Sequence, residues 1–141
     1  MKIGIDGRLI EQSGVGRYIR NLITWLGTID HENSYVLFVP SEALNRVSLP
    51  NNRWSKRGVG AKWHTLWEQL VLPWIYRREH LDLLHVPYFT IPIFYSGAMV
   101  VTVHDLTILH IHTGKATQLP YPLYAFKRLG YWLVLRIGLS R

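Results

Sequence analysis

A chain of 141 residues, 48% hydrophobic and 18% charged, carries enough apolar surface for one packed domain and too little charge for intrinsic disorder. Cysteine is absent, which excludes disulfides, thiolate nucleophiles and cysteine-based zinc sites. A formal net charge of +7 favours anionic partners (nucleic acid, an acidic membrane face or phosphate-bearing small molecules) without choosing among them.

The start, Met1-Lys2-Ile3-Gly4-Ile5-Asp6, turns polar too early for a secretory signal. No run reaches the roughly 18 uncharged apolar residues of a membrane span, so the expected location is cytoplasmic, with a peripheral place on the inner face of the membrane as the variant. Lys2 to Asp6 reads as a short buried strand. Val15, Tyr18, Ile19, Leu22, Ile23 and Leu26 then recur at helical spacing, so a helix follows. Residues 34–39, SYVLFV, form a β-branched and aromatic strand ended by Pro40. Residues 41–62 hold Pro50, Asn51, Asn52, Gly58 and Gly60 and read as loop, with a short strand around residues 57–59.

Thr65-Leu66-Trp67-Glu68 has the form of a capping box and predicts a helix over residues 65–79, kinked at Pro73 for want of an N–H. Residues 81–86 (LDLLHV) are a third expected strand closed by Pro87. Residues 99–104 (MVVTVH) are a fourth, apolar enough to be covered on both faces. Residues 121–139 read as a helix apolar nearly all round. Strands alternating with helices predict an α/β fold: a Rossmann-like, doubly wound, mostly parallel sheet. The sequence ends at Ser140-Arg141, where a further strand is due, so it reads as one incomplete domain, residues 1–141, of a longer protein.

Charge is unevenly placed. Arg53, Lys56, Arg57 and Lys62 stand together without an acid, and Lys115, Lys127, Arg128, Arg136 and Arg141 are interleaved with Tyr121, Tyr124, Phe126, Tyr131 and Trp132. Such stretches are either solvated faces or anionic contacts.

The segment EQSGVGRYIRNL opens the first helix on Gly14 and Gly16, each costing roughly 1 kcal/mol relative to alanine inside a helix. Ser13 suits an N-cap, accepting from the Val15 or Gly16 amide. Bare glycines would let an anion approach the free amides and positive dipole end of the helix, with Arg17 or Arg20 adding charge. The alternative is a loop that needs flexible residues. The spacing fits neither a G-x-G-x-x-G fingerprint, since Ile19 stands where the third glycine belongs, nor a P-loop.

Three polar groups sit at the ends of expected strands, where open α/β sheets bind ligands: Asp6-Gly7-Arg8, His85-Val86-Pro87-Tyr88 and His104-Asp105. His104 suits a hydrogen bond to a substrate hydroxyl, and Asp105, on the opposite face, a separate bond. His104, His110 and His112 match no standard metal spacing, so no metal is expected. No Ser-His-Asp arrangement is visible.

Taken together, IGIDGRLIEQSGVGRYIRNL, WEQLVLPWIYRREHLDLLHVPYF and VVTVHDLTILH resemble, over about residues 2–112, the N-terminal part of a group 1 (family 4) glycosyltransferase of the GT-B type. The resemblance implies two Rossmann-like domains across a cleft, with a nucleotide-sugar donor on the C-terminal one and a saccharide or lipid-linked saccharide acceptor on the N-terminal one. It implies retention of configuration, no cofactor and no metal, with mannose as the first candidate sugar in polysaccharide assembly. Gly14, Val15 and Gly16 would approach the donor diphosphate. His104 would act catalytically beside the transferred sugar, stabilising positive charge in the transition state. Arg17, His85, Tyr88 and Asp105 would line the acceptor side. The family's C-terminal domain has no counterpart in these residues, so the expectation is that the chain alone transfers no sugar. A second reading, from charge and the aromatic tail, is a basic nucleic-acid- or membrane-binding α/β module.

Overall fold

The computed structural model describes residues 1–60 and 66–104, together with Arg136. In chain order the elements are β1 (Lys2–Asp6), α1 (Gly14–Ile29), β2 (Ser34–Pro40), β3 (Trp54–Val59), α2 (Leu66–Arg78), β4 (Leu83–Val86) and β5 (Met99–Val101). A 3₁₀ turn, Ser41–Ala43, leaves β2. The five strands form one sheet, ordered β3-β2-β1-β4-β5, with every neighbouring pair parallel. This is the Rossmann-like α/β arrangement expected from the alternation of strands and helices.

Strand periodicity divides the core between the two faces. On one face, Tyr35, Leu37 and Val39 of β2 and Ile5 of β1 pack with Ile19 and Ile23 of α1. On the other, Val36 and Phe38 of β2 and Leu84 and Val86 of β4 pack with Leu72 and Tyr76 of α2. Because both faces are covered there, residues 35–39 are all buried, and the strand reads as a continuous apolar run. Pro73 lies inside α2 and is buried. The Gln69 side chain ties this helix to the segment after β4, donating to the Ile91 carbonyl at 3.2 Å and accepting from the Ile93 amide at 3.0 Å.

The structure corrects several boundaries. β3 is a full strand over Trp54–Val59, paired with β2 from Tyr35↔Trp54 to Pro40↔Val59, where loop was expected before residue 57. It is an edge strand whose composition, WSKRGV, hides its one strong anchor: Trp54 stacks on Tyr35 with centroids 4.2 Å apart. Lys56 and Arg57 on that edge also discourage pairing with another sheet. β4 begins at Leu83, two residues later than expected. β5 stops at Val101 rather than at residue 104, and Val100 is 49% exposed, so this strand is not covered on both faces.

The basic segment around residue 55 is spent on the fold. Arg53 donates to the Asp30 carbonyl at 2.8 Å, Lys56 to the Val47 carbonyl at 2.7 Å, and Arg57 to the Glu79 carboxylate at 2.6 Å. Burial would raise Glu79, but Arg57 and Lys2 beside it hold its carboxyl below the usual range. Lys62, Thr65, the expected helix over residues 121–139 and the basic, aromatic tail lie outside the described residues.

Candidate functional site

Strand order reverses at β1: its successor in sequence, β2, lies on one side and β4 on the other. In open α/β sheets the crevice beyond the carboxyl ends at such a point is where ligands bind. Asp6, Val86 and Val101 end three parallel neighbouring strands at that edge, and residues 7–13 cross it in turns held by the Ile10 amide on the Gly7 carbonyl and the Gln12 amide on the Leu9 carbonyl, both 3.0 Å.

His85 stands opposite Ile5 and Val100 in the ladder, which puts it on the α1 face. The Thr102 amide still donates to the Val86 carbonyl at 2.9 Å, carrying the extended course past β5. The result is a cluster of four side chains. The Thr102 hydroxyl bonds Nε2 of His85 at 2.8 Å and the Tyr18 hydroxyl at 3.3 Å. The Tyr18 ring meets His104 edge to face, centroids 4.7 Å apart. Nε2 of His104 lies 3.1 Å from the Pro87 carbonyl, which can only accept, so this nitrogen carries a proton. In the neutral ring Nδ1 is then the acceptor, and among the described residues it has no hydrogen-bond partner.

Burial, and then the neighbouring His104 ring, push the His85 pKa below its ordinary 6.5. An unfolded chain therefore binds the proton more readily than the folded one between those two values. Stability from neutral His85 is fully present above about pH 6.5 and is lost as pH falls below it toward the folded value, with a slope of at most ~1.4 kcal/mol per pH unit. His85→Gln is expected to flatten this part of the stability profile in urea denaturation followed across that range. An unchanged slope would remove His85 as its source.

The start of α1 differs from expectation in three respects. Ser13 has helical dihedrals (φ −65°, ψ −68°) and makes no side-chain cap bond, so its hydroxyl is not the N-cap acceptor; only its carbonyl is engaged, by the Arg17 amide at 3.3 Å. Gly16 is a packing residue: a Cβ there would lie 2.5 Å from the Ile10 carbonyl oxygen and 2.9 Å from that of Leu9. Arg20, one turn on, donates to the same Ile10 carbonyl, so it is committed to the turn rather than to an anion. A Cβ added at Gly14 would meet nothing within 4 Å outside its own turn of helix, and Arg17 is exposed. Val15 is half-buried against the α1-face core.

Asp6 and Arg8 do not line an open crevice. They are buried on the α2 face in a network with Glu68 and Tyr76. Arg8 grips Asp6 through Nε at 3.0 Å and Nη2 at 2.8 Å, and reaches Glu68 through Nη1 at 2.9 Å; the Tyr76 hydroxyl donates to Asp6 at 3.0 Å. Burial alone would weaken the Arg8 charge, but Asp6 and the other acceptors more than offset it, and the guanidinium is held more firmly protonated than usual. Burial and then the Asp6 charge push the Tyr76 phenol well above its ordinary value. Beside the network, Asp6, Arg8, Thr90 and Tyr88 border a cavity of about 10 Å³, room for a water and not for a sugar. Tyr88 is half-buried, with its ring 3.9 Å from that of Phe89.

Gly14, Tyr18, His85, Thr102 and His104 thus gather at one edge, whereas Gly16, Arg20, Asp6 and Arg8 serve packing. Asp105 lies outside the described residues. Tyr18 and Thr102 escaped sequence reasoning because each fits a core pattern; the available signal was a polar-tipped residue one turn beyond Gly14. Among the described residues no group of three or more His, Asp or Glu is placed to hold a metal ion, and no helix is long and apolar enough to cross a membrane. No protein-family model, curated protein or solved structure matches the chain.

Proposed function

We propose that this chain is the acceptor-side, N-terminal Rossmann-like domain of a retaining glycosyltransferase of the family 4, GT-B type. The observation that carries the reading is the edge-to-face contact of Tyr18 with His104: it ties the first turns of α1 and the imidazole to one edge of the sheet. The leading amides of α1, around Gly14 and Val15, lack intrahelical acceptors and sit at the positive dipole end, which suits a diphosphate. Arg17 adds charge beside them. His104, with Nε2 held by Pro87, presents Nδ1 to accept from a hydroxyl of the transferred sugar. His85 acts one step back, through Thr102, and Tyr88 and Asp105 belong to the acceptor side. The donor's nucleotide falls to a second domain beyond these residues; the acceptor is a saccharide or lipid-linked saccharide, and mannose is the first sugar to test.

The test is nuclear magnetic resonance titration with nucleoside diphosphates, nucleoside diphosphate sugars and duplex DNA. The diphosphate is expected to shift the amides of residues 14–16, and the attached sugar to add shifts of the His104 ring. His104→Ala should remove the sugar-dependent part and leave the diphosphate part. Shifts at α1 that never involve His104 would overturn the reading. Salt-sensitive binding of DNA alone would replace it with a nucleic-acid module.

A further inference from the structure

We propose that the outward face of α2 docks on an anionic phospholipid bilayer, an inference independent of the sugar chemistry above. Helical spacing puts Trp67, Leu70 and Trp74 on one stripe, opposite the face that buries Leu72 and Tyr76. Large apolar side chains are open along it: Trp67 is 64% exposed, Leu70 62% and Trp74 53%, with Phe94 at 54% beyond. Single exposed apolar residues are ordinary; a row of them on one helix face marks a contact surface.

The identity of the occupant follows from what surrounds the row. Arg77 and Arg78 close the stripe. The Arg78 guanidinium lies 3.6 Å over the Trp74 ring, and Arg77 donates to the Phe94 carbonyl at 2.6 Å. Cationic heads therefore sit level with aromatic rings, as they would at the boundary between lipid headgroups and acyl chains. Glu68, the single acid of α2, is turned inward to Arg8, and nearby Glu79 is taken by Lys2 and Arg57. The face is thus apolar and basic, complementary to acidic lipid. A second copy would bring another +7 against it. Because α2 follows β3 in a parallel sheet, it starts at the edge where His104 lies, and its Glu68 reaches Arg8 there. A helix lying flat on lipid along this stripe would hold that edge beside the membrane.

The test is co-sedimentation with vesicles of phosphatidylcholine alone or mixed with phosphatidylglycerol, which contain no saccharide and so read this inference apart from the transferase proposal. Binding is expected with phosphatidylglycerol, to weaken with salt, and to fall roughly fivefold with each of Arg77→Ser and Arg78→Ser. Trp67→Ser with Trp74→Ser should cost at least about tenfold. Both indoles are exposed, so circular dichroism of these variants should stay unchanged. Absence of binding, or binding that survives these substitutions, would overturn the assignment. So would self-association in sedimentation velocity that the tryptophan pair abolishes, which would give the face to a second copy.

Discussion

Replacing Arg8 by methionine is expected to destabilise the fold by about 3–5 kcal/mol, the range for removing one partner of a buried ion pair. The reason is the company it leaves. Asp6 and Glu68 are 5% and 3% exposed, and this one guanidinium pairs with both carboxylates. Asp6 would keep only the Tyr76 hydroxyl and nearby amides such as that of residue 8. Arg8→Lys should cost less than methionine but still destabilise, because an ammonium cannot span the two Asp6 oxygens and Glu68 at once as the planar fork does. Replacing the network as a set, with Asp6→Leu, Glu68→Leu and Tyr76→Phe added to Arg8→Met, should recover much of the loss, since no buried charge is then left alone. Urea midpoints and slopes for the variants measure this. An Arg8→Met protein within about 1 kcal/mol of the parent would mean that water reaches the carboxylates and that the network is not the lock between β1 and α2.

The same network shows where sequence reasoning runs out. Asp6-Gly7-Arg8 at a strand end has the composition of a ligand site, and only the arrival of Glu68 and Tyr76 from some sixty to seventy positions away makes it a structural one. Local pattern carries periodicity, so β1, β2 and α1 were legible from alternation and helical spacing. It does not carry long-range pairing. β3 was hidden because its anchor, Trp54, is recognised by Tyr35 across the ladder rather than by its own neighbours. The candidate site divides in the same way. His85 and His104 could be assigned to one edge because a parallel sheet sends every carboxyl end there, although β5 stops at Val101 and His104 lies beyond it. Tyr18 and Thr102 could not, because their roles lie in polar tips that a hydrophobic pattern ignores. Ser13 illustrates the opposite error: residue type suits a cap, yet its helical dihedrals deny the side chain that geometry.

The two glycines at the start of α1 are expected to answer oppositely to the same substitution. Gly16→Ala puts a methyl 2.5 Å from the Ile10 carbonyl oxygen and 2.9 Å from that of Leu9, and both obstacles are backbone that cannot rotate away. The Ile10 carbonyl is further pinned by Arg20, so the helix start must lift off the turn. Overpacking of this kind costs roughly 1–3 kcal/mol, against which the better helix propensity of alanine returns about 1 kcal/mol. Gly14→Ala meets open space, so stability should be unchanged or higher by up to about 1 kcal/mol. Diphosphate binding separates the roles further. If Gly14 is bare so that an anion can close on the leading amides, Gly14→Ala should weaken the diphosphate-induced shifts in a protein at least as stable as its parent. Equal shifts in that variant would leave Gly14 as a flexible joint and remove the donor-side half of the proposed site, whatever the fate of His104.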